Sequence, residues 1–148
     1  MEMVGAVAGI LDVTVRCTSK VWKLCQAWHD APEDVHYLRD DLARTEHFFS
    51  ETKQGIQNTI LGPEEFLELK GTTLRQENLK ILVGEGICVI ERIEEIINDL
   101  YMGGEHTELL SKTMRMVWLR YKSKVAKLRK ELNTISLGIC RLLIAQSV

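Results

Sequence analysis

Apolar residues recur at alternating intervals of three and four along four long segments of this chain, and sustained strand alternation appears nowhere. In the first segment Met3, Val7, Ile10, Thr14, Cys17, Val21, Leu24 and Trp28 keep that spacing, while Asp12, Arg16, Lys20 and Lys23 fall on or near the other side. The pattern predicts one helix of about 26 residues, apolar nearly all round at its start and basic-amphipathic further on.

Breaks between the segments are explicit. His29-Asp30-Ala31-Pro32 interrupts the first, and proline suits the opening turn of a new helix, where Glu33 and Asp34 complement the dipole. Val35, Leu38, Leu42, Thr45, Phe49 and Ile56 mark the second stripe, ending near Gly55 or fraying toward Leu61. Gly62-Pro63 stops it, and Pro63-Glu64-Glu65-Phe66 predicts a short connecting helix that ends by Gly71. The third segment runs from about Thr73 to Met102 with Leu79, Val83, Ile90, Ile93, Ile97 and Leu100 as its seam, widened by Leu82, Val89 and Ile96. Gly84 and Gly86 within it cost roughly 1 kcal/mol each relative to alanine, which favours close packing at both over a hinge. Gly103-Gly104 ends it; Ser111 to Leu119 then reads as a short amphipathic turn carrying Trp118. A fourth long helix follows from about Lys122 to Gln146 through Val125, Leu128, Leu132, Ile135, Ile139 and Leu142. The expected fold is all-α: a single domain over residues 1–148, built as an antiparallel bundle of four long helices with one or two short connecting helices. A chain of 148 residues buries about 70% of its unfolded surface without staples.

Charge is unevenly placed. The net charge is −2, yet residues 30–108 hold 18 acids and 7 bases, a local balance of −11. Residues 112–130 hold eight bases (Lys112, Arg115, Arg120, Lys122, Lys124, Lys127, Arg129 and Lys130) and no acid. Interleaved with Trp118 and Tyr121, this run suits an anionic lipid surface, or equally pairing with the acidic helices of the same bundle. Nucleic acid is disfavoured because the rest of the domain is acidic and would repel it.

The chemistry of an enzyme is not legible. There is no phosphate-cradling glycine loop after a strand, no nucleophile elbow and no H-E-x-x-H. His29, His36, His47 and His106 are scattered, and Glu91, Glu94, Glu95 and Asp99 lack an E-x-x-H partner and read as a solvated acidic face. No catalytic residue, metal or cofactor is expected. Cys17, Cys25, Cys88 and Cys140 show no zinc spacing and read as reduced core cysteines of a cytoplasmic protein. Trp22, Trp28 and Trp118 read as packing residues rather than membrane-belt anchors.

The opening stretch carries the most functional information. Met3, Val4, Gly5, Val7, Gly9, Ile10 and Leu11 lie in an uncharged run, with Gly5 and Gly9 four apart on one helical face as a helix-packing groove. Asp12 interrupts the run well short of the roughly 20 apolar residues that span a bilayer. No basic n-region precedes it and no A-x-A site follows, so it does not read as a signal peptide. Residues 3–15 make a helix of about 20 Å against a core of about 30 Å. Crossing would require residues 16–23 to snorkel, the bilayer to thin, or an oblique pose.

Taken in order, several motifs resemble the N-terminal domains of fungal STAND receptors and ankyrin-repeat proteins, the HeLo-like group. They are the glycine-containing opening helix (V-G-A-V-A-G-I-L-D-V), D-A-P-E-D-V-H-Y-L-R-D-D-L, I-C-V-I-E-R-I-E-E-I-I, and M-V-W-L-R-Y-K-S-K-V-A-K-L-R-K-E-L-N-T-I-S-L-G-I. The resemblance implies a cell-death effector of incompatibility or innate defence. Such a domain oligomerises on activation and moves from the cytoplasm to the plasma membrane, where its N-terminal helix inserts. On that reading Met3, Val4, Gly5, Val7, Gly9, Ile10 and Leu11 insert and the eight bases dock on anionic lipids. The alternative is a homotypic signalling module without membrane activity. A sensor or amyloid-signalling domain is expected as the trigger; none follows Val148, which places it in a removed segment or another polypeptide. Residues 61–71 carry no clear motif of the group.

Overall fold

The computed structural model describes residues 2–57, 72–102 and 110–147; the side chains described are those of 5–55, 77–100 and 114–142. Four helices form: α1 (Glu2–Ala27), α2 (Glu33–Gln57), α3 (Thr72–Met102) and α4 (Leu110–Ser147). No strand occurs among the described residues, and the fold is an all-α helical bundle. The expected connecting helix at 63–71, the glycine stop at 103–104, and the side chains of Met3, Val4, Ile56, His106 and Lys112 lie outside the described residues.

The α1–α2 hairpin turns where the backbone N–H of Ala31 donates to the carbonyl of Trp28 (3.2 Å) and that of Val35 to Pro32 (3.0 Å). Glu33 and Asp34 then occupy the first turn of α2, against its positive pole. α1 packs against α2 and α3, α3 packs against α4, and α2 touches α4 along a sparser seam. Register gives the directions. Ile10 meets Gly86 and Arg16 reaches Glu94, so α1 and α3 run parallel; Gly86 meets Ile135 and Leu82 meets Gly138, so α3 and α4 run antiparallel. The bundle is therefore two antiparallel hairpins lying side by side, with α1 beside α3 and α2 beside α4.

The core follows the periodic stripes. Val7, Ile10, Thr14, Cys17, Val21, Leu24 and Trp28 are buried along α1, and Val35, Leu38, Leu42, Thr45 and Phe49 along α2. Leu79, Val83, Ile90, Ile93, Ile97 and Leu100 supply α3. Thr14 and Thr18 are buried without orphaned hydroxyls, because each donates to its own helix, to the carbonyls of Ile10 (2.6 Å) and Thr14 (2.7 Å).

Three expectations need correction. Residues 110–147 form one continuous helix of 38 residues, about 57 Å long, instead of a short turn and a separate helix. Its core stripe explains the continuity: Met114, Trp118, Val125, Leu128, Leu132, Ile135 and Ile139 are buried, half-buried Tyr121 completes the 3-4 register between Trp118 and Val125, and no Gly or Pro intervenes before Gly138. Trp22 is 46% exposed rather than packed inside, with the Arg39 guanidinium 4.9 Å from its ring centroid. Trp28 and Trp118 are buried as expected.

The third correction concerns the glycine pair in α3. A Cβ on Gly86 would lie 2.7 Å from Ile10 Cδ1 and 3.3 Å from Ile135 Cγ2, so this glycine is where α1, α3 and α4 close on one another. A Cβ on Gly84 would meet nothing within 4 Å, and the close packing expected there is absent. The two positions are thus expected to respond oppositely in denaturant unfolding. Gly84→Ala should stabilise by up to about 1 kcal/mol through helix propensity, whereas Gly86→Leu should destabilise by about 1–3 kcal/mol through overpacking.

Candidate functional site

The two elements singled out by sequence, the opening of α1 and the basic run of α4, lie on different parts of the bundle. In α1 Val7 and Ile10 are fully buried, and Ala6 and Leu11 pack partly against the core. Among the described residues nothing lies within 4 Å of a Cβ placed on Gly5 or Gly9, so their face looks away from the other described helices. Of the apolar residues named for insertion, Val7 and Ile10 are therefore core residues and Leu11 packs partly against the core, while the glycine face beside them is unpartnered among the described residues.

Few polar ties hold α1 to the bundle. Arg16 Nε donates to Glu94 Oε2 on α3 at 2.7 Å, and Lys20 Nζ lies 3.4 Å from the same oxygen. The Cys17 thiol points at the carbonyl of Ile90 (3.8 Å). Burial, followed by the Glu94 charge, pushes the Cys17 thiol up to about 12, so it stays protonated and inert. Burial acts to raise the Glu94 carboxyl, but its hydrogen bond from Arg16 and the charge of Lys20 outweigh that and hold it below the ordinary value of 4.5. Its Arg16 partner is correspondingly raised by the same hydrogen bond. The acidic run of α3 is thus not uniformly solvated: Glu91 and Glu95 are exposed, Glu94 is turned toward α1, and Asp99 accepts the Tyr121 hydroxyl at 2.8 Å. That hydrogen bond and the Asp99 charge raise the Tyr121 phenol.

The basic run divides by helical register. Arg115, Lys122 and Arg129, seven residues apart, face α2. Arg115 lies 3.6 Å from the Asp30 carboxylate and Lys122 3.4 Å from Asp34, and Arg129 Nε donates to Asp41 Oδ2 at 2.5 Å. Arg44 also reaches Asp41, from within α2. These partners rise in number together, which is the parallel register of α2 and α4. Arg120, Lys124, Lys127 and Lys130 are exposed and make no ion pair among the described residues. Pairing with the acidic side of the bundle therefore accounts for Arg115, Lys122 and Arg129, and four other bases remain on its surface.

Grooves lie on two sides of α4 among the described residues. One of about 550 Å³ lies in the α2–α4 seam, lined by Asp41, Arg44, Thr45 and Phe48 from one side and Arg129, Asn133 and Ser136 among those on the other. The second, about 810 Å³, lies between α3 and α4 and includes Gly84, Cys88, Arg92, Lys127 and Lys130. Cysteine placement also departs from expectation: Cys17 is buried, Cys25 and Cys140 are half-buried, and Cys88 is exposed in the second groove, all four being free.

Among the described residues no group of three or more His, Cys, Asp or Glu is placed to hold a metal ion. His29 and His47 are exposed, and His47 lies 3.1 Å from Glu51 one turn on. Among the described residues, too, no helix is long and apolar enough to cross a membrane. Comparison with family models, curated proteins and solved structures gave no match, and so nothing in them identifies a HeLo-like family.

Glu94 is expected to make the attachment of α1 pH-dependent. Its folded-state titration is depressed, so its contribution is present above about pH 4.5 and is lost as pH falls through the lower folded value. Amide exchange across α1, measured relative to α4, should accelerate on acidification through that window in the parent chain. In Glu94→Gln the acceleration should be present already at neutral pH and should not deepen further.

Proposed function

We propose that this bundle is a membrane-targeting cell-death effector domain of incompatibility or innate defence. It oligomerises, releases α1 and inserts the residues around Met3, Val4, Gly5, Val7, Gly9, Ile10 and Leu11 into the plasma membrane. The sequence resemblance to HeLo-like domains motivates the class of function, and the composition of α1 supports the mechanism. The observation that carries it is that the buried polar side chains of α1, Thr14 and Thr18, are satisfied by α1's own carbonyls. Leaving the bundle orphans neither hydroxyl, and the polar ties surrendered among the described residues are few: the Glu94 pairing, the weak Cys17 contact and the approach of Arg39 to Trp22 and Cys25.

The apolar cost sets the condition for release. Exposing Val7, Ile10, Val21 and Leu24 to water costs roughly 1.5–3 kcal/mol each, so α1 does not leave for solvent. It leaves only for an environment that covers that surface again, a bilayer or other copies of the helix. Gly5 and Gly9 then give adjacent α1 helices a face for close approach. Anionic lipids are the partner of the exposed bases of α4, each worth about 1 kcal/mol near an acidic leaflet. No catalytic step or cofactor is part of this function.

The full burial of Val7 and Ile10 favours a second reading, a homotypic signalling module in which α1 never leaves the core. Leakage of dye from anionic vesicles separates the two. Gly5→Leu/Gly9→Leu adds side chains into open space and is expected to leave the resting fold intact while strongly reducing leakage. Leakage equal to that of the parent chain, or none from either, rejects insertion in favour of the signalling module.

A further inference from the structure

We propose that the groove between α3 and α4 binds a single anionic lipid, its phosphate headgroup at one end and an acyl chain along the other. Gly84, exposed and with nothing within 4 Å of a Cβ placed on it, forms part of the groove wall on α3. Val89 and Ile135 also line it.

The antiparallel register orders what lies along it. Leu82 lies against Gly138, so Ile81 and Leu137 are level at one end. Ile81 is three residues before Gly84 and seven before Cys88, which puts it on the groove face of α3. Leu137 has the same relation to Thr134 and Lys130 on α4. Both are large apolar side chains left in solvent, 59% and 51% exposed. Arg92, Lys127 and Lys130 line the groove toward its opposite end, and Lys127 and Lys130 make no ion pair among the described residues. Glu85 and Glu131 also line it, so three cations meet two carboxylates and one positive charge is in excess.

Cations at one end and uncovered apolar surface at the other match a phosphate joined to hydrocarbon. Free phosphate would use only the first half. Glu131, next to Lys130, suits a headgroup that carries an ammonium beside its phosphate, as phosphatidylserine does, while Glu85 lies beside Gly84. The inference deepens the membrane function proposed above and takes its lipid class from it, but it needs neither release of α1 nor leakage.

The test titrates the full chain with dioctanoyl phosphatidylserine below its micellar concentration, followed by calorimetry and by the alkylation rate of Cys88, which lies exposed in the groove. Saturable binding that slows Cys88 alkylation is expected, with dioctanoyl phosphatidylcholine weaker and inorganic phosphate weaker still. Lys127→Gln and Lys130→Gln should each weaken binding roughly five-fold. Gly84→Leu should abolish binding without lowering the thermal unfolding midpoint, since a Cβ there meets nothing. Binding that survives Gly84→Leu, leaves Cys88 unprotected, or is matched by phosphatidylcholine or phosphate overturns the proposal. Vesicle leakage keeps the two claims apart. Leakage that persists in Gly84→Leu with groove binding lost shows the groove dispensable for insertion, whereas groove binding without leakage by the parent chain rejects the insertion function alone.

Discussion

The parallel contact between α1 and α3 is the constraint on which the bundle depends. Gly86 is its narrowest point, where Ile10 of α1 and Ile135 of α4 approach a backbone that carries no side chain. One turn and more along, the Cys17 thiol and the Ile90 carbonyl continue the same seam, and Glu94 closes it by holding Arg16 and Lys20. Because both helices run the same way, the register set at Gly86 also sets which cation of α1 reaches Glu94. An apolar contact thus fixes the geometry, and one carboxylate supplies the polar tie.

The seam on the other side of the bundle is built differently. α2 and α4 meet through charged pairs from Asp30, Asp34 and Asp41 to Arg115, Lys122 and Arg129, with a groove left between them. Exposed pairs of this kind contribute about 0–1 kcal/mol each. They therefore specify register more than they supply stability, which comes from the buried apolar stripes of all four helices. The result is a division within one helix: α4 uses the side facing α2 for closure and leaves Arg120, Lys124, Lys127 and Lys130 exposed.

Much of this fold was legible from periodicity. The stripes of α1, α2 and α3 name their buried residues, and Pro32, with Glu33 and Asp34 behind it, marks the start of α2. Periodicity gives the face that is buried, not the neighbour that buries it. Gly84 and Gly86 look alike in sequence, yet one adjoins open space and the other meets Ile10, because only the helix crossing distinguishes them. The same holds for Glu94 among the acids of α3, and for Trp22, which lies off the α1 stripe and finds Arg39 on α2. The split of the basic run did carry a sequence signal in the seven-residue spacing of Arg115, Lys122 and Arg129. What it lacked was the parallel placement of α2 beside α4.

The proposed function makes burial of α1 at rest and its release at a membrane two states of one helix, and Cys17 would report which state is occupied. Its thiol is fully buried and pushed up to about 12, so it should resist alkylation while α1 is packed. The decisive measurement is the alkylation rate of Cys17 in a chain with Cys25, Cys88 and Cys140 replaced by serine, with and without anionic vesicles. The account predicts negligible reaction in buffer and a vesicle-dependent change in which Cys17 becomes reactive as leakage develops. Leakage with Cys17 still protected, or ready labelling in buffer alone, would contradict it.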